Sequence, residues 1–357
     1  MIANVTVLPF SNGVLVLLTT IPLIMFAGFS PFVRPLSSGL GAGRTLMLSH
    51  DDRFGYSDAI LCRKCGPVYR NGVLGAGAAI GNDFDPRCHQ ARFPDRIGLA
   101  TGAFTVSMTS FAAVSAAVSY PLSMLPGIGW RNSLAVWIVL AVVGFLFWMP
   151  QRGLSLAQSI KTQYNTQTSV WRSGSAWALT VLMGAQSFLF YFFTAWLPSI
   201  ALSKGLSPTM AGYLAFAFQL STIPAAFLIA AIAVRLKDQR GLISIVAAVY
   251  LCSLIAVALL HSFVPLVVAV MLYGLATGAS FNLCILFLSL RTQSPERATS
   301  LSGMVQSLGY ALGAVGPILG GWLFDATGSW AAAFVCAGVL MIIIFFSGRI
   351  VGRDKMI

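Results

Sequence analysis

Two groups of residues in this 357-residue chain have types and spacings that could do chemistry. The first is polar side chains set singly inside long apolar runs: Gln186 and Tyr191, Gln219, Asn282, and Gln306 with Tyr310. A polar group is unfavourable against lipid, so each should face a bundle interior or a cavity, where it can bind a solute or bond to a neighbouring helix. Gln306 and Tyr310 are four apart and share one helical face. The second group is His50, Cys62-x-x-Cys65 and Cys88-His89, which offers thiolate and imidazole ligands of the kind tetrahedral zinc takes. One C-x-x-C without a second, correctly spaced pair is a weak metal signal, and no metal site is assigned.

The elements that must position these groups follow from composition. With 57% hydrophobic and only 9% charged residues and a mean hydropathy of +0.83, the chain departs from soluble domains, in which about a quarter of residues are charged. It reads as an all-α polytopic membrane protein. The net charge of +12 would ordinarily raise nucleic acid as a partner. The cations instead fall in short loops between apolar runs, as topology signals do, so lipid and a small solute are the expected partners. Cys252, Cys284 and Cys336 stand singly in apolar spans, where a small buried hydrophobe is expected. No basic n-region of a signal peptide is evident.

The chain repeats itself. Pro94-Asp95-Arg96 matches Pro295-Glu296-Arg297, Gly102 matches Gly303, Trp130 matches Trp330, and Thr20-Ile21-Pro22 matches Thr222-Ile223-Pro224. A period of about 200 residues is far longer than any solenoid unit, so each copy is a half-molecule. Two parallel halves of about six spans each are a transporter signature. The expected division is an N-terminal bundle over 1–150, a polar linker over 151–174 and a C-terminal six-helix bundle over 175–357. The second half should hold spans near 176–198, 210–234, 241–260, 264–290, 299–322 and 330–348. Trp196 reads as an interface anchor. Gly309, Gly313, Gly316 and Gly320, at helical spacing, read as a close-packing seam and the place where helices would slide.

The first half is less regular. The repeat maps the first run, 12–33, onto the second span of the later copy, so a first helix is missing, and about 10–11 spans are expected in all. Residues 43–67, which should mirror the apolar 241–261, hold His50, Asp51, Asp52, Arg53, Asp58, Arg63 and Lys64. Charges at a span centre cost roughly 2.5–3.5 kcal/mol each on insertion scales, so this segment cannot cross as a simple helix and the third span is degenerate. Residues 83–90 (DFDPRCHQ) likewise stand where the repeat has the apolar 283–290, and besides zinc a phase shift of the codons in these short stretches would account for both: moving those of 83–90 by one nucleotide turns most of them into Ile/Thr, Leu/Ser and Val/Ala, which is what the repeat demands.

Arg235, Lys237, Arg240, Arg291, Arg297, Arg349, Arg353 and Lys355 gather on one side with the linker cations, and Lys204 is alone opposite. The positive-inside rule then places linker and C-terminus in the cytoplasm. Asp95-Arg96, Asp238 with Arg240, and Glu296-Arg297 sit at helix ends, where small charge clusters can bias one conformational state over another or simply mark topology. None of the intact spans has a carboxylate near its centre, so a membrane proton relay has no candidate, and no phosphate-binding loop supports ATP-driven pumping.

Arg92-Phe-Pro-Asp-Arg-Ile-Gly-Leu-Ala-Thr-Gly102, Trp196-Leu-Pro198, Lys237-Asp-Gln-Arg240, Leu301-Ser-Gly-Met-Val-Gln-Ser-Leu-Gly-Tyr310 and Gly352-Arg-Asp-Lys355 carry a resemblance. The chain resembles a major facilitator superfamily transporter, of the bacterial branch that includes cyanate and 2-nitroimidazole transporters. The resemblance covers about 12–42 and 91–357 and implies two pseudo-symmetric bundles rocking about a central site, no cofactor and no enzymatic reaction. It also implies a first helix with an Asn-Leu-Arg-Pro motif, to which no residue here corresponds. The function expected is secondary transport of a small polar or anionic organic solute in the bacterial inner membrane, by a monomer. The alternatives are a truncated, inactive remnant and a zinc-binding membrane enzyme or sensor.

Overall fold

A computed structural model describes residues 170–357, apart from 293, 294, 354, 355 and 357, together with scattered positions between 20 and 28 and between 107 and 146. The segment 43–90, the Asp95-Arg96 pair and most of the linker lie outside the described residues. So do the expected missing first and degenerate third helices. The described positions of the first half are helical except at 124–126 and 136.

The second half is a bundle of six helices: α1 (Gly174–Ser203), α2 (Pro208–Arg235), α3 (Arg240–Leu259), α4 (Phe263–Leu290), α5 (Pro295–Thr327) and α6 (Ala331–Val351). There is no strand among the described residues. Five of them, α1, α3, α4, α5 and α6, are long and apolar enough to cross a membrane, and α2 carries no charge before Arg235. Starts are specified locally. The Ser173 and Ser207 hydroxyls accept from the Ala176 and Met210 amides at 3.4 and 3.3 Å, and Pro208 supplies the fixed φ of a first turn. After α1 and α5 the chain turns through Gly205 (φ 83°) and Gly328 (φ 66°), a region that glycine enters without a Cβ penalty.

The six expected spans are present, with two boundaries moved. α1 continues past Pro198 to Ser203, and α5 runs from Pro295 to Thr327. A proline inside a membrane helix removes one backbone bond, but neighbouring helices re-satisfy the freed groups.

α1 is the buried centre. It packs on α5, α6, α2 and α4, while α2 lies along α4, and α3 joins α4 to α6. Phe193, Phe218, Tyr250 and Tyr273, from α1, α2, α3 and α4 in turn, are fully buried together. The Phe193 and Tyr273 rings stack at 3.8 Å, and Tyr250 meets Tyr273 edge-on at 4.7 Å. The Tyr250 hydroxyl accepts from Thr277 at 2.9 Å, so the α3–α4 contact is polar as well as aromatic.

Trp196, expected at an interface, is buried instead. Its indole Nε1–H donates to the Pro317 carbonyl at 2.8 Å, and its ring lies 5.4 Å from Trp330. A tryptophan near a span end satisfies either role. Here α1 extends beyond it, so it sits within the bundle and ties α1 to α5.

On the end opposite the cation-rich one, Lys204 Nζ donates to the Ala258 and Leu260 carbonyls at 2.9 and 2.8 Å. It thereby caps the C-terminus of α3. Burial lowers the lysine pKa below its ordinary value.

Candidate functional site

The α1–α5 interface is where polar candidates meet, and glycines determine how close the helices come. A Cβ added at Gly309 would lie 2.6 Å from Met183 Cγ, at Gly313 3.0 Å from Ser187 Cβ, at Gly316 2.6 Å from the Phe188 carbonyl, and at Gly320 2.5 Å from the Phe192 ring. From the other side, a Cβ at Gly184 would meet Leu312 at 2.4 Å. The glycine run is thus a packing seam, as its spacing predicted.

That seam sets the heights of the polar groups. Met183 and Ser187, which flank Gln186 on α1, lie against Gly309 and Gly313, which flank Tyr310 on α5. Tyr191 rests with Cδ2 3.2 Å from the position of a Gly313 Cβ. Gln186, through its neighbour Ser187, and Tyr191 both reach the part of α5 around Gly313, one turn on from Tyr310. Gln306 lies one turn away and donates to the Ser302 hydroxyl at 2.8 Å.

Gln186 is 2% exposed. Its Nε2 donates to the Ser187 hydroxyl at 3.3 Å and lies 3.8 Å from Met183 Sδ, while its Oε1 is buried and, among the described residues, has no hydrogen-bond partner. A buried amide oxygen left unmatched costs about 1–3 kcal/mol, so it is an acceptor waiting for a donor. The Ser307 hydroxyl, one residue after Gln306, is in the same condition. Sequence reading missed it, because a serine in an apolar span normally bonds its own helix backbone and gives no signal of its own.

Gln219 and Asn282 belong to the other helix pair. Gln219 is half-buried on α2. Asn282 donates to the Gly278 carbonyl of its own helix at 2.8 Å. The structure does not group these two with Gln186, Tyr191 and Tyr310.

At the cation-rich end, Asp238 and Arg240 pair with each other within one exposed loop, 2.5 Å apart at their closest. The guanidinium holds the Asp238 carboxyl at a pKa of about 2. Between them, Gln239 turns inward and is buried. Its side chain donates to the Ala233 and Leu236 carbonyls at 3.0 and 2.6 Å and accepts from Arg291. Arg291, at the end of α4, reads from sequence as a topology signal only. It is 3% exposed and also donates to the Val351 and Gly352 carbonyls, each at 3.1 Å, so it fastens the end of α6 to the α2–α3 loop. A basic residue at a span end looks the same in sequence whether its guanidinium points out or in. Glu296 and Arg297 lie in the first turn of α5, the latter half-buried. His50, Cys62, Cys65, Cys88 and His89 lie outside the described residues.

Among the described residues the spans are helical, apolar and glycine-seamed, with buried amides and hydroxyls between them, and comparison with known proteins supplies the class. Residues 90–314 match the Major Facilitator Superfamily. Over 98% of this chain and 87% of the relative, it is 36% identical to an uncharacterized transporter, YycB, of Bacillus subtilis strain 168. It is 33% identical to the 2-nitroimidazole transporter of Escherichia coli K12, over 96% of this chain and 86% of the relative. The cyanate transport protein CynX of Escherichia coli K12 is 28% identical, over 75% and 70% of the two chains. Among solved structures, the major facilitator transporter FucP in its outward conformation superimposes with a TM-score of 0.70 at 11% identity, covering 94% of this chain and 89% of FucP. The chain belongs to the Major Facilitator Superfamily. It is a multi-pass membrane protein and a secondary transporter, not an enzyme.

Proposed function

We propose that the chain carries a small polar or anionic organic solute across the bacterial inner membrane by alternating access, as a monomer with its C-terminus in the cytoplasm. The carrying observation is Gln186 Oε1, buried and without a hydrogen-bond partner among the described residues, on the α1–α5 interface that also bears Tyr191 and Tyr310. It calls for a solute that donates a hydrogen bond. Gln186, Tyr191, Gln306 and Tyr310 form the near wall of the binding site in this reading, with Gln219 and Asn282 contributed by α2 and α4. Neutral amides and hydroxyls suit a compact polar molecule. The relatives named for 2-nitroimidazole, whose ring N–H can meet Gln186 Oε1, and for cyanate, which has no donor and would bind through the amide N–H and tyrosine hydroxyls instead, supply the first solutes to try.

In the same reading, 1–150 and 175–357 are the two moving bundles joined by the 151–174 linker. Asp95, Arg96, Asp238, Arg240, Glu296 and Arg297 lie at the loops whose contacts differ between states. The test is uptake of labelled 2-nitroimidazole and of cyanate into liposomes holding the purified chain. Uptake above empty liposomes is expected for at least one of them. Gln186→Leu should lower it about ten-fold, the worth of one buried hydrogen bond of about 1.4 kcal/mol. Monodisperse protein with no uptake of either solute overturns this reading.

A second reading has an observation of its own. The family match begins at residue 90, where the polar 43–90 stretch ends. An inactive remnant would show no uptake until its first and third helices are restored.

A further inference from the structure

We propose that the cation-rich end of the α3–α6 seam is a binding site for the headgroup of an anionic phospholipid, with Arg349 as its phosphate-binding group. α3 and α6 run side by side and approach closely because Gly348 and Gly352 face Ile243. A Cβ at either would lie 2.6 or 2.9 Å from that side chain. The contact presents Arg349, in the last turn of α6, to Ser244 in the second turn of α3, with Nη1 donating to the hydroxyl at 3.1 Å. Ser244 in turn donates to the Arg240 carbonyl at 2.9 Å, so its own proton is used and it acts on Arg349 as a positioning residue. The guanidinium carbon stands 5.4 Å over the Phe345 ring.

The two arginines of this seam differ. Arg240 is committed to Asp238 through bonds of 2.8 and 2.5 Å. Arg349 is exposed, and among the described residues its partners are a hydroxyl and a ring, not a carboxylate. A guanidinium has five N–H donors in a planar fork matched to phosphate oxygens, and only one is engaged here.

Depth and surroundings select a lipid over a soluble anion. α6 has 21 residues, about 31 Å of helix, which fills a hydrocarbon core of about 30 Å and leaves Arg349 at headgroup level. On the outward face below it stand Phe346, Ile350 and Ile342, and across the seam Ile245, all more than half exposed. Acyl chains have a surface to lie on directly beneath the charge. Basic pockets between spans are the usual seats of anionic headgroups.

The test is native mass spectrometry of the full chain from micelles doped with phosphatidylglycerol, or with phosphatidylcholine of the same acyl chains. The wild-type chain should retain phosphatidylglycerol at least about five-fold better than phosphatidylcholine, and Arg349→Gln should lower phosphatidylglycerol retention about five-fold, the scale of one basic residue at an anionic surface. Arg349→Lys, which keeps the charge and loses the fork, should fall between and covers the case in which the glutamine variant does not fold. Lys237→Gln removes one cation from the same end and should leave retention unchanged. An equal loss in Lys237→Gln and Arg349→Gln would mean diffuse charge rather than a site and would overturn the proposal. So would equal retention of the two lipids by the wild-type chain, or displacement of phosphatidylglycerol by millimolar inorganic phosphate.

Discussion

The two glycine-lined helix pairs of this bundle are built differently. Along α1–α5 the glycines mostly face side chains: Met183, Ser187 with Tyr191, and Phe192. Along α2–α4 backbone comes closer: Gly278 faces backbone alone, and Gly274 faces the Ser221 hydroxyl, at 2.0 Å from an added Cβ, together with backbone. A Cβ at Gly274 would lie 2.5 Å from the Phe218 carbonyl, and one at Gly278 2.4 Å from the Thr222 carbonyl and 2.9 Å from its Cα. Side chains can change rotamer to make room, whereas packed backbone cannot. The cushioned pair carries Gln186, Tyr191 and Tyr310, and the backbone-on-backbone pair acts as the fixed pillar against which a binding interface can adjust.

The largest expected effect breaks the pillar. Gly278→Ala pushes a methyl into the Thr222 backbone and should destabilise by about 3 kcal/mol, the upper end for overpacking, read as a lower thermal midpoint in detergent. Gly309→Ala meets Met183 at Cγ, 2.6 Å away, in a side chain that can turn, with the nearest backbone atom at an ordinary 3.6 Å. With the alanine gain in helix propensity offsetting part of the strain, it should cost about 1 kcal/mol or less. Equal losses for the two variants would erase the distinction between cushioned and rigid pairs. A smaller effect sharpens it: Trp196→Phe keeps the ring packing but loses the bond to Pro317, worth about 0.6 kcal/mol between membrane helices, and loosens α1–α5 alone.

The smallest effect lies beside the pillar, in the α2–α3 loop. Asp238 has its pKa depressed to about 2 by Arg240. The pair therefore adds stability above the unfolded carboxyl's ordinary pKa, and this is lost as pH falls through the folded value. Because the loop is solvent-exposed the term is small. Thermal midpoints taken between pH 5 and pH 2 should fall slightly more for the wild-type chain than for Asp238→Asn. Identical curves would show that the ion pair is without effect on folding.

Much of this bundle was legible in the residues. Runs without charge located all six helices, since the bilayer fixes the length a span must have. The spacing of Gly309, Gly313, Gly316 and Gly320 foretold the seam. What was not legible depends on contacts distant in sequence. Trp196 bonds a carbonyl 121 residues away, and Arg291 reaches carbonyls 60 and 61 residues on. Nothing local separates a tryptophan at an interface from one inside a bundle, or an arginine facing water from one facing a helix end. Ser307 stayed hidden for the opposite reason: its local context explained it too readily. Among the candidate residues, the sequence offered six polar intruders and read Asn282 as the most structural of them; packing set Gln186, Tyr191 and Tyr310 along the α1–α5 seam and bonded Asn282 to its own helix.

Lys204 donates to Ala258, 54 residues further along the chain. Because a nascent chain emerges from its N-terminal end, the hairpin of α1 and α2 reaches the bilayer before α3 brings that acceptor to it. The ammonium must remain hydrated throughout that interval. The α1–α2 turn is clasped only once α3 has arrived, which makes this contact a late checkpoint in biogenesis.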